Sequence, residues 1–184
     1  NYGGIEVKGD YADFEQLYDS IFEIIGDEED YPTLEKLRIQ ILAFCYDLRH
    51  AKQGNREIEL VENNMNDEIM KWHSIITPIN NVYYKFKYIL TQAIFVVYAL
   101  NIFIDNYKYK KYKSSYYTKV VYDEAVNIVQ EFQSKVIKAI VQILSEKNKK
   151  IFLKLFYDRE FGTNRLVHQY LELIDCRYLA KNKE

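Results

Sequence analysis

Glycine and proline are scarce, with six and two copies in 184 residues. A fold of many strands and tight turns needs both as punctuation, so the shortage argues for long helices with few breaks. Cysteine is too rare for a disulfide scaffold: only Cys45 and Cys176 are present, and neither sits at metal-ligand spacing from a His or another Cys. Each falls in a helical apolar pattern, which predicts two buried free thiols, with one long-range bridge as the alternative outside a reducing compartment. The net charge of −2 lacks the excess of one sign that draws a protein to nucleic acid or to acidic membranes. Long apolar runs are also short of what a membrane needs. The longest uncharged stretch, Tyr88 to Ile104, has seventeen residues and contains Thr91, Gln92, Tyr98 and Asn101. A bilayer span takes about twenty, so the run reads as a buried core helix.

Catalytic signatures are missing as well. There is no phosphate-cradling glycine loop and no nucleophile elbow, and the three histidines His50, His73 and His168 make no metal-binding spacing. Arg49 with His50, and Arg165 with His168, do not match the longer Arg-to-His spacing of helical nucleases. The adjacent acids Glu28 and Glu29 lie in an acidic turn, where a solvated loop is the simpler reading. No enzyme, cofactor, metal or small-molecule substrate is expected.

What is present suffices for one folded unit, with 48% hydrophobic and 28% charged residues. Residues 1–9, NYGGIEVKG, hold three glycines without periodicity and read as a flexible leader. Residues 10–184 read as a single helical bundle domain. Asp10 is a plausible N-cap, and Tyr11, Phe14, Leu17, Tyr18, Ile21, Phe22 and Ile25 recur at helical spacing up to Gly26. A second stripe runs from Leu34 to Leu48. A third, over Arg56 to His73, takes in Ile58, Val61, Met65, Ile69 and Trp72, and a central apolar helix is predicted over Ile79 to Asn106. Val120 to Leu144 and Ile151 to Phe156 follow, and Leu166 to Leu179 forms a last helix after Gly162. The fold class expected is all-α, a single bundle of about six or seven helices around the central one.

Charge is unevenly placed. From Asp10 to Glu35 there are ten acids and no base, and from Tyr107 to Lys119 there are bases and no acid. The basic run interleaves tyrosines, and its candidate partner-binding residues are Tyr107, Tyr109, Lys110, Lys111, Tyr112, Lys113, Tyr116 and Tyr117. Tyrosine offers rigid contact area with a polar tip, and lysine steers an acidic partner. Against this stands a plain solvated helix end in a chain with eighteen tyrosines.

The leader Asn1 to Gly9, with the all-helical pattern and the Lys, Asn, Ile and Tyr usage, resembles the outer-surface lipoproteins of Borrelia spirochaetes. Asp158, Arg159, Glu160, Asn164 and Arg165 resemble the closing region of the helical factor H-binding type within that group. The resemblance implies a domain on the bacterial outer surface, tethered by a lipid ahead of Asn1. It further implies a binding module that captures a host plasma protein, such as factor H or another complement component, for immune evasion. The alternative is an intracellular, cytoplasmic helical protein, either a toxin-like ribonuclease or a viral or host protein-interaction module.

Overall fold

The computed structural model describes residues 3–113 and 122–157, and beyond them Leu173, Cys176, Arg177 and Ala180. The chain opens with strand β1 (Gly4–Gly9) and helix α1 (Tyr11–Ile25), then a 3-10 turn (Pro32–Leu34) leads into α2 (Glu35–Lys52). Strand β2 (Glu57–Glu62), helix α3 (Asp67–His73) and strand β3 (Asn80–Ile89) follow, then helices α4 (Leu90–Tyr112), α5 (Glu124–Ile143) and α6 (Glu146–Tyr157).

Helix α1 starts and stops where its residues dictate. The Asp10 carboxylate accepts the Asp13 N–H at 2.8 Å while Asp13 accepts the Asp10 N–H at 3.0 Å, a reciprocal capping box. Gly26, at φ 58°, ends the helix with its N–H on the Phe22 carbonyl at 3.1 Å. A β-carbon there would collide with the Asp30 side chain, so glycine answers both the backbone angle and the space.

The fold is mixed α/β, which corrects the all-α expectation. Three strands form an antiparallel sheet in the order β1-β3-β2. The helical spacing of Ile58, Val61 and Met65 concealed a period of two, Glu57-Ile58-Glu59-Leu60, and Asn80–Ile89 alternates in the same way. Tyr84, Phe86 and Tyr88 share the face turned to the helices, while Lys85 and Lys87 face out. The central helix therefore begins at Leu90 rather than Ile79, and its predicted first turns are β3. Residues 1–9 are not a loose leader either, since Gly4–Gly9 is an edge strand in register with β3 from Ile89 to Tyr84.

Helix α4 buries residues around most of its circumference, among them Val96, Val97, Leu100, Phe103 and Ile104, because α1, α2, α5, β1 and β3 all pack on it. None of the described helices is long and apolar enough to cross a membrane. Gln133 of α5 is buried and donates to the Val97 carbonyl at 2.7 Å and to Asn101 Oδ1 at 2.9 Å, which fixes how α5 lies on α4. The sheet meets the helices through aromatic rings: Phe44 of α2 lies 5.7 Å from Phe86, 5.2 Å from Tyr88 and 5.1 Å from Phe132 of α5, centroid to centroid. On the opposite face of the sheet, Glu59 bridges Lys8 at 3.0 Å and Lys85 at 3.1 Å, and Glu57 meets Lys87 at 3.2 Å. These exposed pairs add little energy but match the strand register.

Cys45 is buried and free, and burial pushes its thiol pKa up to about 12, so it is inert. Cys176 is also free but exposed, which corrects the expectation of two buried thiols. The last predicted helix, Leu166 to Leu179, falls largely outside the described residues.

Since Phe44 is 1% exposed and joins α2, β3 and α5, truncating it leaves a cavity where the rings of the sheet, α2 and α5 meet. Phe44→Ala is expected to lower unfolding stability by about 3–5 kcal/mol, read from the urea midpoint. A loss under about 1 kcal/mol would show that this junction does not hold the two layers together.

Candidate functional site

Most of the described Tyr/Lys candidates are engaged within the chain, although only Tyr107 among them is buried. Tyr107 is buried, and its hydroxyl donates to the Glu23 carboxylate of α1 while accepting from the Lys111 ammonium. Lys111 also reaches Asp123, the N-cap of α5, at 2.9 Å and Glu23 at 3.2 Å. Tyr112 donates to the same Asp123 oxygen at 2.7 Å, and Asp123 accepts the Val126 N–H at 3.0 Å. Lys110 pairs with Asp30 in the acidic turn after α1 and lies 5.9 Å over the Tyr31 ring. The acidic opening segment and the basic end of α4 thus meet at Glu23 and Asp30. Lys113, at φ 44°, caps α4 and is exposed, as is Tyr109. Tyr116 and Tyr117 lie outside the described residues.

The electrostatics fit a clamp rather than a reactive centre. Burial, and then the hydrogen bond to Glu23, push the Tyr107 phenol well above its ordinary value. The bonds to Tyr107 and Asp123 raise the Lys111 ammonium further, so it stays charged. Burial alone would push Asp123 up, but the Val126 N–H, Lys111 and Tyr112 together hold its carboxyl below the usual range. A phenol held protonated beside an ammonium held charged has no proton to exchange near neutral pH.

No metal site accompanies the clamp, for among the described residues no three His, Cys, Asp or Glu side chains converge to hold a metal. The His50 ring lies tilted against Tyr46, 4.2 Å between centroids, and meets Asn55 Nδ2 at 3.3 Å, a local contact. An open cleft of about 240 Å³ runs between β1, α1 and α5, lined by Phe14, Phe132, Val136, Lys8, Asp13 and Lys135 among others. Its lysines and Asp13 are already engaged: Lys8 with Glu59, Asp13 in the capping box and Lys135 with Glu131 at 2.7 Å.

The surface that helical spacing concealed is the arm made of β2, α3 and β3. Among the described residues, only β3 packs substantially against β2, and no element does so against α3. Trp72 is 84% exposed and Ile76 101%, and Ile58, Leu60, Ile75, Ile79 and Val82 are exposed beside them in sequence. Single exposed apolar residues need no explanation, but a concentration of them on one segment does.

The arm is built to hold this shape. Asn66 caps α3 by accepting the Ile69 N–H at 2.9 Å, and Ser74 closes it in the left-handed region at φ 50°. At the root, the Asn63 N–H donates to the Ile79 carbonyl at 3.1 Å, its side-chain amide donates to the Pro78 carbonyl at 3.0 Å, and its Oδ1 accepts the Met65 N–H at 3.1 Å. The alternating Glu-Ile-Glu-Leu of β2 was the signal that marks this surface in the sequence.

In comparisons with known proteins, the family model described as a domain of unknown function (DUF6904) matches residues 1–184. No curated protein and no solved structure matches.

The clamp generates a pH dependence. Asp123 is held below its ordinary value in the folded chain, so the folded state binds fewer protons there than the unfolded state. Its stabilisation is complete above the unfolded pKa near 4 and is lost as pH falls through the lower folded value. Asp123→Asn keeps a cap acceptor for the Val126 N–H but loses the charge facing Lys111. It is expected to lower stability by about 1–2 kcal/mol at neutral pH and to flatten the fall in melting temperature below about pH 4. Parallel acid limbs in parent and variant would show that the ion pair contributes nothing.

Proposed function

We propose that this chain, which belongs to the DUF6904 family of domains of unknown function, is a protein-binding module that recruits its partner through the tip of the β2–α3–β3 arm and performs no chemistry on it. The observation that carries this reading is the full display of Trp72 and Ile76 at a capped helix against which no described element packs substantially. Covering those two side chains withdraws roughly 350 Å² of mostly apolar surface from water, about 9 kcal/mol before the cost of association. Tryptophan is the residue most often found at the energetic centre of such contacts, and a segment already tied by Asn63 and Asn66 loses little freedom on binding.

The contact surface thereby moves away from the Tyr/Lys segment. Tyr107, Lys110, Lys111 and Tyr112 are engaged with Glu23, Asp30 and Asp123. A narrower version makes the partner a host plasma protein and the setting a bacterial outer surface. It stands on the sequence resemblance, and six of the nine leader residues behind that resemblance belong to β1.

The test is capture on the immobilised chain, with plasma and with cell extract supplied as separate sources, comparing the parent with Trp72→Ser/Ile76→Ser. A specific partner is expected to bind the parent at least about tenfold more tightly, with identical circular dichroism spectra. Partners retained equally by both proteins would place the contact elsewhere, and retention from extract but not plasma would remove the narrower version.

A further inference from the structure

The tip of the arm is one surface and the free edge of β2 is another. Among the described residues, the sheet order β1-β3-β2 leaves β2 bonded on one side only. Unpaired strand edges template further pairing, and proteins usually blunt them with proline, lysine or a bulge. Glu57–Glu62 contains neither proline nor lysine, and its register against β3 runs unbroken from Glu57↔Lys85 to Glu62↔Asn80. The Glu57 and Glu59 charges that remain as deterrents are answered within the sheet by Lys87, Lys8 and Lys85.

The hydrogen-bond phase of the ladder decides what the edge offers. Asn63 donates to the Ile79 carbonyl at 3.1 Å, so the odd-numbered residues of β2 form the hydrogen-bonded pairs with β3. The N–H and C=O of Ile58, Leu60 and Glu62 therefore point to the open side. Side chains follow a second alternation. Ile58 and Leu60 stand opposite Tyr84 and Val82, on the face where Phe86 and Tyr88 are buried, yet Ile58, Leu60 and Val82 are exposed. The sheet's apolar face thus extends past the helices that cover it.

We propose that a second copy of this chain covers this edge, pairing β2 with β2 antiparallel about a two-fold axis at Leu60. The two three-stranded sheets then become one continuous sheet. In that register the outward-pointing groups meet in phase: Leu60 faces Leu60 of the second copy, and Ile58 faces Glu62. On the other face Glu59 stands opposite Val61 and Glu57 opposite Asn63, so no acid lies directly across from an acid although the strand carries three. Centring the axis one residue earlier, at Glu59, sets two carboxylates face to face, which cross-strand pairing disfavours.

Ile58, Leu60 and Val82 from both copies bring roughly 500 Å² of apolar side-chain surface to the axis, and the strands add about six backbone hydrogen bonds. That is small for a stable interface, so the dimer is expected to dissociate in the micromolar range. The inference rests on the reading of the arm as a contact surface but uses its edge, leaving Trp72 and Ile76 to another partner.

The experiment measures mass in solution by light scattering over about a hundredfold range of concentration. The parent is expected to shift from monomer to dimer, and Leu60→Pro to stay monomeric with unchanged circular dichroism, because its missing N–H faces the open edge and takes no bond from β3. A second variant, Leu60→Cys with Cys176→Ser, is expected to cross-link to its own copy on mild oxidation. Hydrogen-bonded antiparallel pairs hold Cα atoms about 5.5 Å apart, within disulfide reach, whereas Glu57→Cys in the same background stays reduced.

A parent monomeric throughout, a dimer that persists in folded Leu60→Pro, or a Leu60→Cys variant that stays reduced overturns the proposal. If Leu60→Pro loses its fold, the cross-linking pair decides. A monomeric parent whose partner capture still depends on Trp72 removes self-pairing and leaves the partner reading standing. A dimer whose capture ignores Trp72 does the reverse.

Discussion

Phe44 stands where the two layers of the molecule meet. Its ring touches Phe86 and Tyr88 of the sheet on one side and Phe132 of α5 on the other. The sheet carries one apolar face that must be buried, and the helices would expose an open flank without it. Because β3 is the middle strand and runs directly into α4, its pairing with β1 up to Ile89 places the start of the central helix at Leu90. The same face of the sheet runs past the helices: Phe86 and Tyr88 are buried, while Val82, Leu60 and Ile58 are exposed.

That overhang and the polar clamp at the C-terminal end of α4 present different surfaces. At the clamp, charges that look available in sequence are paired with acids eighty or more residues away, as in Lys110 with Asp30 and Lys111 with Glu23. At the arm, apolar residues that look like core in sequence are left uncovered. Apolar surface is thus uncovered at the arm, while at the clamp Lys110 and Lys111 already have acidic partners within the chain.

Much of the helical layer was legible. Asp10 capping and Gly26 stopping α1, the stripe of α2 through Ile41, Cys45 and Leu48, and the amphipathic α5 all depend on neighbours three or four residues away. The strands were hidden for a specific reason. In a short segment such as Ile58 to Trp72, residues at spacings of three, four and seven satisfy a helix while Ile58 and Leu60 also satisfy a strand. Which period wins depends on whether a partner strand exists. Residues 4–9 make the same point, since Gly-Ile-Glu-Val-Lys-Gly has no helical stripe and becomes β1 because β3 supplies its bonds.

The helix boundaries at Asp10 and Gly26, the burial of Cys45 and the reading of α4 as core follow from the order of residues alone, because capping, glycine geometry and charge-free length act locally. Tertiary packing was needed to make Glu57–Glu62 and Asn80–Ile89 strands, to bring Tyr107 and Lys111 against Asp123, and to leave Trp72 bare. A strand's hydrogen bonds and a charge's counterion come from elsewhere in the chain, so local pattern does not contain them.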